Sequence, residues 1–265
     1  MDQNLHDSIL HYKDPTIAQA FHEDRYGGKI GHWFMETEQN TYAYLAALLP
    51  PVKTVLDIGT GSGKLHACIP SPRFIGLDTS LPMLKKAREL SDLRFLLSAD
   101  CTRLPVKNKS FDLVVGSRLL MHIPSWQLLI RECCRVSKCG VILDFPVHPS
   151  FAAIEPRIWK MSRGRDSHPI HRVFHKQEII ESFSENGFEC AALVKGFVLP
   201  YRFHRVLNSL AASKRIEGIT RKTGMTKVFG SPAYGLFVPA DQRGIQVNKP
   251  SISAASGIMG QESAR

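Results

Sequence analysis

The residues with the clearest chemical content stand between Val55 and Gly63, where Val-Leu-Asp-Ile-Gly-Thr-Gly-Ser-Gly sets an acid ahead of three glycines at alternate positions. Asp57 closes an apolar run. Gly59, Gly61 and Gly63 let the backbone adopt φ > 0 and approach a ligand closely. A strand, a glycine turn and a following helix make a common seat for a nucleotide-like ligand. Two phosphate-binding readings fail on spacing. A P-loop needs a glycine five residues before its Gly-Lys pair and Ser or Thr after the lysine, but Ile58 and Leu65 occupy those places. The dinucleotide fingerprint G-x-G-x-x-G needs a third glycine where Lys64 stands. An acid beside the ligand disfavours a pyrophosphate and suits a cation. A second acid, Asp78, ends the next apolar run 21 positions after Asp57. A carboxylate there can accept hydrogen bonds from both hydroxyls of a ribose.

S-adenosylmethionine is a nucleoside that carries a sulfonium and an ammonium, so its charge agrees with these acids. Val55 to Gly63 resembles the first motif of the class I S-adenosylmethionine-dependent methyltransferases, in the small-molecule branch that includes the ubiquinone and menaquinone C-methyltransferases. The likeness runs through about residues 52–145. It implies S-adenosyl-L-methionine as cofactor, contacted by Asp57, Gly59, Thr60, Gly61 and Gly63. By the same resemblance Asp78 takes the ribose, and Thr79, Ser80 and Met83 begin a helix beside the adenosine. Asp100 accepts from the adenine amino group, and Cys101 lies along the ring. Leu104-Pro105-Val106 through Ser110-Phe111-Asp112 resembles the family's approach to its fourth strand. The segment from Ser117 to Pro124, with Leu119, resembles the one whose backbone faces the methionine part. Met121 departs from the pattern, standing where the first of two histidines is common.

Methyl transfer from a sulfonium is an in-line displacement, so alignment in a dry pocket supplies much of the rate. A base matters only where the acceptor must lose a proton. His122, after the fourth strand, is the candidate, and a packing role beside Pro124 is the competing reading. The segment after that strand is not the Asn/Asp-Pro-Pro-aromatic stretch of amino-methylating enzymes. No Pro-Cys pair serves cytosine C5 chemistry, and no paired-glutamate hairpin marks arginine methylation. Cys133 and Cys134 could suggest thiol chemistry, but adjacent helical residues point in different directions and packing is the simpler reading. The expected activity is transfer of a methyl to oxygen or carbon of a small or lipid-like acceptor. The alternatives are an RNA methyltransferase and a non-catalytic cofactor-binding regulator.

The elements that must position these residues alternate. Strands are expected at about 54–59, 73–78, 93–98, 111–117 and 138–145, and helices at about 63–69, 81–90 and 125–136. This β-α-β order predicts an α/β, Rossmann-like, seven-stranded and mostly parallel sheet with helices on both faces. Residues 1–50 read as an N-terminal helical cap and 52–145 as the cofactor half. Residues 146–240 read as the acceptor-side half of the same domain, opening on a proline-rich insertion or lid at 146–172. A helix at 175–186, a strand at 188–198, a helix at 200–215 and a strand at 233–238 complete it. Phe203, Val206, Leu207 and Leu210 stripe the 200–215 helix at i, i+3, i+4 and i+7. The aromatics Tyr26, His32, Trp33, Phe34, Phe151, Trp159 and Tyr201 are candidates to line the acceptor pocket. Residues 241–265 are polar and small and read as a disordered tail.

Of the formal net charge of +10, the stretch from Arg157 to Lys227 holds 14 basic and 6 acidic side chains. That excess suits an anionic substrate, an anionic membrane surface or nucleic acid, and Arg202, Arg205, Lys214 and Arg215 beside the apolar stripe suit lipid. Ordinary solvated packing against the sheet is the bland alternative, and no recognisable nucleic-acid module accompanies the charge. The six cysteines show no zinc-ligand spacing, so no metal is expected. A polar N-terminus and the lack of a long apolar run point to a cytoplasmic protein, peripheral at most to a membrane.

Overall fold

In the computed structural model, residues 14–151 and 172–242 are described. The main sheet comprises β1 (Thr54–Ile58), β2 (Arg73–Asp78), β3 (Phe95–Ser98), β4 (Phe111–Gly116), β5 (Ser137–Phe145), β6 (Phe188–Phe197) and β7 (Ser231–Pro239). Their spatial order is β3-β2-β1-β4-β5-β7-β6. All neighbours run parallel except β7, which is antiparallel to both β5 and β6. The order reverses between β1 and β4, and ligands of open α/β sheets sit in the crevice at such a switch point. The expected seven-stranded, mostly parallel sheet is therefore present.

Its strands are apolar on both faces because both faces are covered. Leu56, Ile58 and Val114 point into one core, with Cys133, Phe183 and Phe237. Val55, Leu113 and Val115 point into the other, with Tyr42, Leu45 and Leu65. Cys133 and Cys134 are buried packing residues, and burial pushes both thiols up, Cys134 to about 12.

Eight helices are described. The cap contributes α1 (Pro15–Tyr26) and α2 (Gly28–Ala47), separated at Gly27. Next come α3 (Leu81–Leu90), α4 (Trp126–Val136) and α5 (Lys176–Glu185). The last three are α6 (Tyr201–Leu207), α7 (Leu210–Lys222) and α8 (Met225–Phe229). Ser80 starts α3 by accepting from the Met83 N–H at 3.2 Å, which satisfies one otherwise orphaned donor.

Three expectations need correction. Residues 63–69 form no α-helix, because Gly61 and Gly63 hold φ of 55° and 78°. The chain instead crosses on turns such as His66 N–H to Gly63 C=O, at 3.2 Å. The helix expected at 200–215 is two. Asn208 adopts the left-handed conformation at φ 45°, which asparagine tolerates, and Ser209 caps α7 by accepting from Ala212 N–H. The short α8 was not expected. The stripe on α6 also faces outward: Val206 is 85% exposed, and Phe203 and Leu207 are exposed too. At the start of the proposed insertion Val147–His148 pairs in parallel with Phe174–His175, just past its end. Trp159 and most of that insertion lie outside the described residues, as do residues 1–13 of the cap and all but the first two residues of the tail.

Candidate active site

The candidate residues gather at the carboxyl ends of β1 to β5. Asp57, second to last in β1, is 1% exposed. Its Oδ2 accepts from the Thr60 hydroxyl at 2.7 Å, while Oδ1 is buried with no hydrogen-bond partner. Burial lifts its carboxyl from 3.8 to about 7, and nearby Asp78 adds to the lift against the Thr60 bond and Lys64. Asp78, at the end of β2, accepts from Gly61 N–H at 3.0 Å and Ser80 N–H at 2.9 Å through separate oxygens. Burial raises Asp78 as well, opposed by these amide donors. Thr60 N–H closes the loop onto the Leu77 carbonyl at 2.9 Å.

The glycines are needed here. Gly59 has φ 63°, and a Cβ on it would stand 2.7 Å from Leu119 Cδ1. A Cβ on Gly61 would meet Met83 Cε at 3.4 Å. Leu119 and Met83 therefore wall the glycine loop from two sides, so the structure brings both together with Asp57, Thr60 and Asp78. Thr79 is exposed beside them. After β3, Asp100 is exposed and turns its Oδ1 to Thr102 N–H and hydroxyl, both at 2.8 Å. Cys101 is buried among the core residues, which pushes its thiol to about 12. The loop beyond is pinned by Arg135, which donates to the carbonyls of Leu104 and Val106 and to Glu132, while Glu132 accepts from Leu104 N–H.

His122 is buried in the turn Leu120–His122, its backbone N–H donated to Leu119 C=O at 2.9 Å.

The site also holds a polar layer that motif reading missed. Lys64, just past the glycines, forms an ion pair with Glu38 of α2 at 2.9 Å and donates to Tyr26 Oη at 2.6 Å. Glu38 also accepts from the Ser117 hydroxyl at 2.5 Å. Burial works against the charge on Glu38, but Lys64, Arg118 and Ser117 outweigh it and hold the carboxyl low. Burial likewise opposes the charge on Lys64, and Glu38 and Tyr26 raise it. Both members of the pair are therefore charged. Beside them Asp144 of β5 accepts from Arg118 N–H and from Tyr42 Oη, which also reaches Gly116 C=O at 2.7 Å. Burial and Glu38 raise Asp144 to about 6.

This layer ties the helical cap to the ends of β4 and β5. His22 on Ser62 and Gln39 on the Lys64 carbonyl add two more ties over the loop. Arg25 lies over the Tyr201 ring at 4.4 Å, and its Nε has no hydrogen-bond partner. Among the described residues no group of His, Cys, Asp and Glu could hold a metal ion.

Residues 56–144 match the family model described as "Methyltransferase domain". The chain is 25% identical over 188 residues to the malonyl-[acyl-carrier protein] O-methyltransferase of Methylococcus capsulatus, covering 67% of this chain and 68% of that protein. It is 28% identical over 203 residues to the chloroplastic 2-methyl-6-phytyl-1,4-hydroquinone methyltransferase 1 of Oryza sativa, covering 73% and 58%. Several other curated relatives are matched over only about half their own length. In fold it is similar to the magnesium protoporphyrin IX methyltransferase of Synechocystis solved with bound SAH, with a TM-score of 0.59, 15% identity, and 89% and 100% of the two chains covered. Over residues 56–144 the chain is therefore similar to the class I S-adenosylmethionine-dependent methyltransferases, and S-adenosylmethionine is the cofactor this likeness supports. The residues present fit that cofactor: a buried acid with one unpartnered oxygen faces a glycine loop, and a second acid stands one strand away.

Proposed function

We propose that the protein transfers a methyl group to oxygen or carbon of a small or lipid-like acceptor. The observation that carries the reading is the unpartnered, buried Oδ1 of Asp57 at the head of the glycine loop. A buried carboxylate without a partner is costly unless a cation or donor completes it. When bound, the cofactor supplies an electrophilic methyl on a sulfonium. Asp57 then meets positive charge, and Asp78 keeps a lone pair on each oxygen for a pair of vicinal hydroxyls. Gly59, Thr60, Gly61 and Gly63 line the backbone approach, with Leu119 and Met83 as apolar walls. Thr79, Asp100, Cys101 and Ser117 complete the cofactor set by position, at the ends of β2, β3 and β4.

His122 is the residue we assign to proton removal where the acceptor is a phenol or an acid. Tyr26, Trp33, Phe34 and Tyr201 lie toward the cap, and Arg25 adds positive charge on that side. The relatives named for malonyl-carrier and phytyl-hydroquinone methylation support an acceptor of this size and polarity. The reading extends to peripheral contact with an anionic membrane.

Calorimetric titration with S-adenosylmethionine, with Asp78→Ala as control, tests the donor side. Labelled methyl transfer to a panel of quinone-like phenols and acyl carriers with a free carboxylate tests the acceptor side. Binding without transfer to any lipid-like or small acceptor, together with transfer to RNA, would replace this reading by the nucleic-acid one.

A further inference from the structure

We infer that α6 is a membrane-docking element that seats the mouth of the active site on an anionic bilayer. The helix has two unlike sides. Its inner side is Tyr201 and His204. Tyr201 donates its hydroxyl to the Arg25 carbonyl at 2.6 Å and packs edge-on against Phe34 at 4.8 Å. His204 is 0% exposed, lies edge-on to Trp33 at 5.5 Å, and shares a hydrogen bond of 3.1 Å with Glu217 of α7. Glu217 in turn accepts from Val198 and Leu199 N–H, so α6 is tied to α7 and to the end of β6 as well as to the cap. Arg205 donates to the Asp24 carbonyl at 3.0 Å. These contacts fix the rotation of a helix only seven residues long.

The outer side is consequently apolar and turned to solvent. Phe203, Val206 and Leu207 fall at i, i+3 and i+4, on one face, and are 45%, 85% and 37% exposed. Scattered exposed apolar residues are ordinary, but three on one face of a two-turn helix form a patch. Further along the same segment Ile219, Met225 and Val228 are exposed as well.

Charge selects the occupant. Residues 201–229 hold seven basic side chains and one acidic one. The acidic one is the buried Glu217, so every exposed charge of the segment is positive, including Arg205, Lys214, Arg215, Lys222 and Lys227. Exposed aliphatic and aromatic side chains flanked only by cations suit a surface that is apolar below and anionic at its rim. That describes a bilayer containing acidic lipid. A second copy of this chain would instead set this basic face against its own image.

The position has a consequence for the acceptor. Through Tyr201, Arg25 and Phe34 the helix abuts the cap beside the Tyr26–Lys64–Glu38 layer, so an acceptor dissolved in the bilayer would reach the site without crossing water. That last step rests on the methyltransferase reading; the docking itself does not, and vesicle binding is measured without turnover.

The test is co-sedimentation of the full chain with phosphatidylcholine vesicles, with and without phosphatidylserine. Binding is expected only with phosphatidylserine, weakening as salt rises. Val206→Asp and the double variant Lys214→Glu/Arg215→Glu are each expected to weaken it by about tenfold or more. Calorimetric cofactor affinity should stay unchanged in both, which shows that they fold. Three vesicle results would overturn the inference: no binding by the wild-type chain, equal binding to neutral vesicles, or Val206→Asp binding like wild type. A wild-type dimer in sedimentation velocity that Val206→Asp converts to monomer would also overturn it and give the face to self-association.

Discussion

If Asp57 binds the cofactor as proposed, it should couple cofactor affinity to pH and set it against stability. Its folded-state carboxyl titrates near 7 instead of 3.8, chiefly because it is buried. A cationic ligand needs the ionised form. With a midpoint near 7, about one molecule in eleven is ionised at pH 6 and about nine in ten at pH 8. S-adenosylmethionine should therefore bind about tenfold more weakly at pH 6 than at pH 8, equivalent to about 1.4 kcal/mol. Removing the charge with Asp57→Asn should abolish that dependence. A carboxylate and a cation roughly 4 Å apart attract by about 4 kcal/mol at an effective dielectric of about 20. With part of this offset by desolvation, the loss of affinity at pH 8 should be about a hundredfold.

Stability of the free protein should move the other way. Because the folded-state value lies above the unfolded one, the native state binds the extra proton between about pH 4 and 7. The contribution of this group is thus present at the acid end and lost as pH rises through about 7. The limit is about 4 kcal/mol for a shift of that size, and relaxation around the site reduces it. At pH 8 Asp57→Asn should raise the melting temperature by roughly 4–8 °C, corresponding to about 2 kcal/mol in a chain of this length. Differential scanning fluorimetry with and without cofactor, alongside calorimetry across pH, reads both effects. A variant that is less stable than wild type at pH 8 and keeps its affinity would refute the argument and make Asp57 a structural cap of Thr60.

Other substitutions probe the elements around it. Gly59→Ala drives a Cβ into Leu119 at a φ of 63° and should cut cofactor affinity at least tenfold; adding Leu119→Ala should restore part of it, leaving the backbone strain of about 1–2 kcal/mol. Glu38→Gln strips the partner from buried Lys64 and should cost about 3–5 kcal/mol in chemical denaturation; Glu38→Leu with Lys64→Met should recover most of it, as a double-mutant cycle would show. Asn208→Val at φ 45° should destabilise by about 1–2 kcal/mol, whereas Asn208→Gly should be near neutral. His122→Gln should lower kcat by about a hundredfold or more, with calorimetric cofactor affinity unchanged; an unaltered kcat would return His122 to packing.

The glycine-loop side of the candidate site was legible because it is local. Asp57 and Asp78 sit on consecutive strands with the glycines in the loop between them, so spacing along the chain becomes spacing in the crevice, and β1 to β5 follow directly from apolar runs between turn residues. The polar layer was not legible in the same way, since Glu38, Lys64, Arg118 and Asp144 meet across separations of 26 to 106 positions. A trace of it was present nonetheless. Glu38, Thr41, Tyr42 and Leu45 fall at i, i+3, i+4 and i+7, so Glu38 is an acid on the buried stripe of α2, and an acid there requires a cation from elsewhere. Asp144 similarly interrupts the run Val-Ile-Leu-Asp-Phe.

The helix at 200–215 misled for a different reason. Periodicity identifies an apolar face but does not say what covers it, and the same spacing describes a stripe on a core and one on a bilayer. What distinguishes them is the residue on the opposite side. His204 is the polar member of α6 that lies fully buried, tied to Glu217 and set against Trp33 and Phe34. Once an internal acid one helix away holds the histidine inward, Phe203, Val206 and Leu207 must turn outward, and the position of Glu217 in α7 decides which face of α6 the protein offers to its surroundings.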